Sequence, residues 1–205
     1  MNKERLIIFL VVIFLMFNIF SRRTKTQDDP NKLLGALWQK DENSILVYAL
    51  NGKYFGELVE VDKKSDMASL NIGEKIEFNG EYIENGAEIN KFKADSFEVK
   101  TNIKNIDGDI NKAQKVVSNS KSAVILDVRT FNEYKGGHLP GAINIALDKI
   151  GTDAEFEIEE KDTPILVYCR SGARSQSAKA ILEGLGYELV INIGGIMNYK
   201  GDLEN

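Results

Sequence analysis

Cys169 is the single cysteine of the 205-residue chain. It closes the apolar run Pro164-Ile-Leu-Val-Tyr168 and opens the segment Cys169-Arg170-Ser171-Gly172-Ala173-Arg174-Ser175, which leads into a helix-forming stretch. A strand ending in a thiol, a loop of small residues with two arginines and a helix N-terminus together ionise a thiol and hold an anion against it. A free cysteine titrates near about 8.5, and beside cations or at a helix N-terminus it falls to about 3.5–7.5. Backbone N–H groups from Arg170 to Ser175 can converge on one concavity, because Gly172 and Ala173 add little bulk. The chemistry is nucleophilic sulfur on a loop.

Composition narrows what else the chain can do. One cysteine excludes an intrachain disulfide, and one cysteine with one histidine leaves no zinc-ligand set; the thiolate chemistry of the loop itself requires no metal or organic cofactor. With 26 Lys and Arg against 31 Asp and Glu, the net charge of −5 gives no basic footprint for nucleic acid. A hydrophobic content of 43% supports one ordinary core or two small ones.

Other polar residues read as support for the loop. Arg174 is a cation at a helix start, which is disfavoured unless an anion neutralises it, and it is assigned to anion binding or loop stabilisation. Arg170 points outward as readily as inward. Asp127 and Arg129 stand at the carboxyl end of a predicted strand, where parallel α/β sheets place their sites, and a pair that fixes loops accounts for them as well. His138, between Gly137 and Pro140, reads as a loop-packing histidine, since an ionised Cys169 needs no general base.

The elements that must position these residues follow from the pattern. From Asn102 onward helix and strand alternate, which predicts a parallel α/β sheet. Ile110 to Val117 has helical spacing, Ala123 to Val128 is a buried strand, and Thr130 to Tyr134 is a short helix. The strand carrying Cys169 follows, then a helix from about Ser175 to Leu185 and a last strand, Glu188 to Ile193, ending in Gly194-Gly195.

Four motifs in this half occur in order: Leu126-Asp-Val-Arg129 with Glu133-Tyr134; Gly137-His-Leu-Pro-Gly-Ala142 with Asn144-Ile145; Val167-Tyr-Cys-Arg-Ser-Gly-Ala-Arg-Ser175; and Gly194-Gly195-Ile196 with Tyr199 and Gly201. Together they resemble a single rhodanese (sulfurtransferase) domain over residues 103–205. Tyr199 departs from the family, which usually has tryptophan there. The resemblance implies that Cys169 takes a sulfane sulfur from a thiosulfate-like donor, becomes a persulfide and yields the sulfur to a thiol or cyanide. It also implies that the six-residue loop Cys169 to Arg174 fits a sulfur atom, whereas related phosphatases carry one residue more. A persulfide carrier, or a redox-sensing or protein-binding module without turnover, is the alternative.

The preceding segments read differently. Residues 44–101 carry about five short strands, among them Ile45 to Leu50, Lys53 to Val61, Lys75 to Ile83, Ala87 to Phe92 and Ser96 to Val99, and form a small β-rich domain. It resembles an OB-type barrel, and a protein partner or a spacer role is expected for it. Tyr54, Phe55, Phe78, Tyr82 and Phe92 are assigned to its core, and its glutamates oppose a phosphate backbone. Residues 24–43 read as a polar tether. Residues 6–20 are apolar except for Asn18 and are flanked by Lys3, Arg5, Arg22, Arg23 and Lys25, so residues 1–23 are expected to be an uncleaved membrane anchor, with a signal-peptide h-region as the alternative. Fifteen helical residues span about 22 Å, short of the ~30 Å hydrocarbon core, so the flanks would snorkel. The expected architecture is an α/β rhodanese-like parallel sheet flanked by helices, preceded by a small all-β barrel and a single-pass membrane helix, with the soluble part on the exported side.

Overall fold

A computed structural model of the chain describes residues 29–62, 65–83, 89–101, 106–120 and 122–205. The anchor expected over residues 1–23 lies outside the described residues. Among the described residues no helix is long and apolar enough to cross a membrane.

The first half is an all-β barrel. Strands β1 (Lys32–Lys40), β2 (Ser44–Ala49), β3 (Leu58–Asp62), β4 (Lys75–Ile83) and β5 (Asn90–Val99) close in the order β1-β2-β3-β5-β4. Neighbours are antiparallel except β3 and β5, which run parallel. Leu33, Leu37, Ile45, Val47, Val59, Ile76, Phe78 and Phe92 fill the interior. Strand β1 lies in the segment expected to be a tether. Its alternation is hidden because both of its faces are buried: Leu33 and Leu37 point into the barrel while Ala36 and Trp38 point out of it into a second core. The strand expected over 53–61 is present only from Leu58, since residues 50–57 turn, with the Phe55 N–H donating to Gly52 O (3.1 Å) and the Gly56 N–H to Ala49 O (2.9 Å). The two strands expected over 87–92 and 96–99 are the single strand β5.

The second half is a parallel sheet in the order β7-β6-β8-β9, built from β6 (Val124–Asp127), β7 (Ile143–Asn144), β8 (Ile165–Cys169) and β9 (Val190–Gly195). Four helices accompany it: α1 (Ala113–Ser118), α2 (Phe131–Lys135), α3 (Ile150–Glu157) and α4 (Ala173–Gly184). All five residues of β8 are buried, and the period of two sends them to different cores. Ile165, Val167 and Cys169 face α3 and α4 with Ala154, Ala178 and Leu182, whereas Leu166 and Tyr168 face the other way.

That other face is covered by the barrel. Helix α1 is only six residues long and contributes Ala113 and Val116, and Ala36, Trp38, Leu46, Tyr48 and Leu58 from β1, β2 and β3 complete the layer. The Trp38 Nε1–H donates to Ser120 Oγ at 2.9 Å, Lys112 Nζ donates to Phe55 O at 2.6 Å, and Glu57 pairs with both Lys112 (3.0 Å) and Lys115 (2.5 Å). On the far face, Lys179 of α4 is almost fully buried and donates to Ile106 O at 2.9 Å, tying the helix to the chain that joins the two halves.

Because the halves share the core around Trp38, they should unfold together. Trp38, the only tryptophan, sits in that core, so its fluorescence and the far-ultraviolet circular dichroism should trace one coincident transition in urea. Trp38→Ala should lower stability by about 3–5 kcal/mol while keeping a single transition. Two separated transitions in the unmodified protein would show that the halves are energetically independent.

Candidate active site

Cys169 ends β8, and the chain turns through Arg170, Ser171 and Gly172 into α4. Gly172 carries the turn at φ 103°, a left-handed conformation that side chains other than glycine rarely adopt. The turn brings the N–H groups of the new helix onto the sulfur. The Gly172 N–H donates to Sγ at 3.1 Å, and the Ser175 hydroxyl lies 3.6 Å from it. Burial pushes the thiol up. The N–H and hydroxyl of Ser175 and the N–H groups of Gly172 and Ser171 act in the opposite sense, and the balance holds Cys169 below the ordinary cysteine value. The residue is 1% exposed, so Sγ is almost fully enclosed.

The loop is held from both sides, because β8 lies between β6 and β9. On the β6 side, Arg174 forms a bidentate pair with Glu133, with both N–O distances at 2.8 Å. Glu133 is itself placed by a capping box in which the Thr130 hydroxyl accepts from the Glu133 N–H. The Arg174 guanidinium holds the Glu133 carboxyl at about 2, against the opposing effect of burial and with the backbone and hydroxyl of Thr130 assisting. On the β9 side, the Met197 N–H donates to Arg170 O at 3.3 Å. Gly195 packs so closely there that a Cβ would stand 2.5 Å from both Arg170 O and Ser171 Cα. Arg170 itself is exposed.

Asp127 and Arg129 form a buried unit. Asp127 Oδ1 accepts from the Arg129 N–H (2.8 Å), and the guanidinium reaches both carboxylate oxygens, the shortest contact being 2.6 Å. Arg129 also donates to Gly137 O at 2.7 Å, and Asn144 Nδ2 donates to the carbonyls of Asp127 and Arg129, each at 2.9 Å. The unit fixes the 137–144 loop, and none of its hydrogen bonds given for the described residues ends on Sγ. His138 stacks on Tyr134 with centroids 3.8 Å apart and pairs its backbone with Glu204. Its position is that of a packing group.

Three contributors were not singled out from sequence. Glu133 was readable in the Thr130-x-x-Glu133 spacing of a capping box. Tyr168 fills the sheet face opposite Cys169, and its hydroxyl accepts from the Leu139 N–H at 3.1 Å. Asn192 interrupts the apolar strand Val190-Ile-Asn-Ile193, and a lone polar residue on a helix-facing position is the signal that marks it. Among the described residues no group of side chains could hold a metal ion.

Residues 111–202 match the family model for the rhodanese-like domain. The thiosulfate sulfurtransferase PspE of Escherichia coli (strain K12) is 38% identical over 71 residues, which are 35% of this chain and 68% of PspE. The chain belongs to the rhodanese family. A second relative of this rhodanese, the putative sulfur carrier protein YrkF of Bacillus subtilis (strain 168), is 36% identical over 89 residues, 43% of this chain and 47% of YrkF. The match thus spans about half the length of that relative. A solved structure described as rhodanese with anions from E. coli is 32% identical, with a TM-score of 0.39, covering 41% of this chain and 99% of that one.

The Arg174–Glu133 clamp gives a pH expectation. The folded Glu133 carboxyl lies at about 2 against an ordinary 4.5, so its contribution is complete above about pH 4.5 and is lost as pH falls through about 2. Glu133→Gln should remove this acid-sensitive component. It should also lower the apparent pKa of Cys169, measured by alkylation rate against pH, by less than about one unit, because the freed Arg174 charge is partly screened by solvent.

Proposed function

We propose that this rhodanese is a sulfurtransferase in which Cys169 carries the sulfur as a persulfide. The observation that supports it is the thiolate cradle: an almost enclosed Sγ facing the N–H groups of a six-residue loop, with no cofactor needed for charge balance. The thiolate attacks the outer sulfur of a thiosulfate-like donor, the donor S–S bond breaks, and sulfite leaves with the electron pair. A persulfide anion stays on Cys169, its outer sulfur about 2 Å further toward the mouth. A thiol acceptor, as thiolate, or cyanide then attacks that outer sulfur, and the electron pair of the broken bond returns to Sγ. Arg170 and Arg174 with the N–H groups of Ser171 to Ser175 form the anion-binding loop, while Asp127, Arg129 and His138 support it.

A second reading, a persulfide carrier without fast turnover, is favoured by the lone cysteine. No other thiol in the chain can resolve the persulfide, so the sulfur leaves only to an outside acceptor. The barrel acts as a cover for the sheet. OB-type barrels use their β2-β3 face for nucleic acid, and here Leu46, Tyr48 and Leu58 of that face are buried against the α/β half.

The full-length protein should form thiocyanate from thiosulfate and cyanide, and Cys169→Ser should not. No thiocyanate above that control overturns the transferase reading. A stable adduct of about 32 Da on Cys169 without turnover would favour the carrier.

Residues 6–20 would hold the protein at a membrane; a short N-terminal tail before a long soluble part favours export of the α/β half, while Arg22, Arg23 and Lys25 argue for the cytoplasmic side. A C-terminal reporter enzyme that works only outside the cytoplasm should be active. Activity of a cytoplasm-restricted reporter in its place would reverse the orientation.

A further inference from the structure

The polar contacts beneath the loop converge on a residue that does not touch the sulfur. Asn192 of β9 faces the first turn of α4, and its side chain joins four groups there. Its Oδ1 accepts from the Gly194 N–H at 3.0 Å and from the Ser175 hydroxyl at 2.8 Å. Its Nδ2 donates to Gln176 Oε1 at 3.1 Å and to Gly172 O at 3.4 Å. The Gly194 N–H can only donate, so it fixes the amide with its oxygen toward Ser175.

Ser175 is fully buried and has a single hydroxyl proton. Four acceptors surround it: Asn192 Oδ1 at 2.8 Å, Gly172 O at 3.0 Å, Gly194 O at 3.5 Å and Cys169 Sγ at 3.6 Å. Asn192 is the nearest and Sγ the farthest. A neutral sulfur is a weak acceptor, whereas a thiolate is a strong one, so the preferred direction of the hydroxyl changes with the charge on Sγ.

We propose that Asn192 is a positioning residue that holds the Ser175 hydroxyl away from Sγ while the sulfur is uncharged and releases it to Sγ when the sulfur is a thiolate. The inference rests on Cys169 being the sulfur-carrying nucleophile. During loading, the donor S–S bond breaks and the negative charge moves to the new outer sulfur. Sγ becomes a neutral member of the persulfide bond, and the hydroxyl turns back to Asn192. During transfer, the bond between Sγ and the outer sulfur breaks, Sγ recovers the electron pair as a thiolate, and the hydroxyl turns to it. The proton stays on Ser175 throughout, so the exchange is a rotation and needs no further reactant.

The test uses the rate of iodoacetamide alkylation of the full-length protein against pH. With one cysteine in the chain, the apparent pKa belongs to Cys169, and no sulfur substrate is present, so the result stands apart from the transferase reading. Ser175→Ala should raise the apparent pKa by about one unit, as it removes a donor to the thiolate. Asn192→Ala should lower it by about half a unit, because the neutral thiol state loses the acceptor that occupies the hydroxyl. In the Ser175→Ala background the same Asn192 substitution should have no effect. Asn192→Asp keeps an acceptor for both Ser175 and Gly194 and serves if the alanine variant does not fold. It should raise the apparent pKa, and by less when Ser175 is alanine. Equal shifts in the two backgrounds, or no shift in either, overturn the assignment.

Discussion

A thiolate at Cys169 has to be stabilised where water scarcely reaches, and the surrounding architecture serves that requirement. A charged atom withdrawn from solvent is costly unless hydrogen-bond donors replace the lost hydration. The donors here are the N–H groups of a strand-to-helix turn, which have no partner within the first turn of a helix. Bringing them onto one atom requires a sharp chain reversal, and Gly172 makes it at φ 103°. The reversal in turn requires a neighbour with no side chain, which is Gly195.

The same requirement explains how the arginines are used. Arg174 is paired by both nitrogens to Glu133, so its charge is anchored to α2 rather than left to swing over the sulfur. The N–H groups of the loop and the Arg174 guanidinium both act on Cys169. The Asp127–Arg129 unit works one layer further out. Buried and hydrogen-bonded to Gly137 O and Asn144, it sets the 137–144 loop at the carboxyl end of the sheet.

The barrel answers a separate demand of the sheet. A parallel sheet needs apolar cover on both faces, and α3 with α4 supplies one of them. Helix α1 is too short to supply the other, so β1, β2 and β3 turn Trp38, Leu46, Tyr48 and Leu58 onto it. One consequence is that this face of the barrel becomes core. That core also reaches the active strand, because Tyr168, the residue before Cys169, is packed in it.

Local residue patterns mark the candidate thiol and its loop, and they carry the alternating α/β order and the β-rich segment. These are local properties: a thiol after an apolar run, small residues beside arginines, periods of two and 3.6. Local patterns failed where burial was two-sided. Strand β1 carries apolar residues on both faces and so lacks the alternation that marks a strand, and the 53–57 segment, with Tyr54 and Phe55 between charged residues, is bound into a turn. Tertiary structure alone decided that Arg174 meets Glu133, that Asn192 meets Ser175, and that barrel and sheet share a core. Each of these contacts joins residues separated in the chain and brought together only by the packing of strands and helices, which no local pattern of residues records.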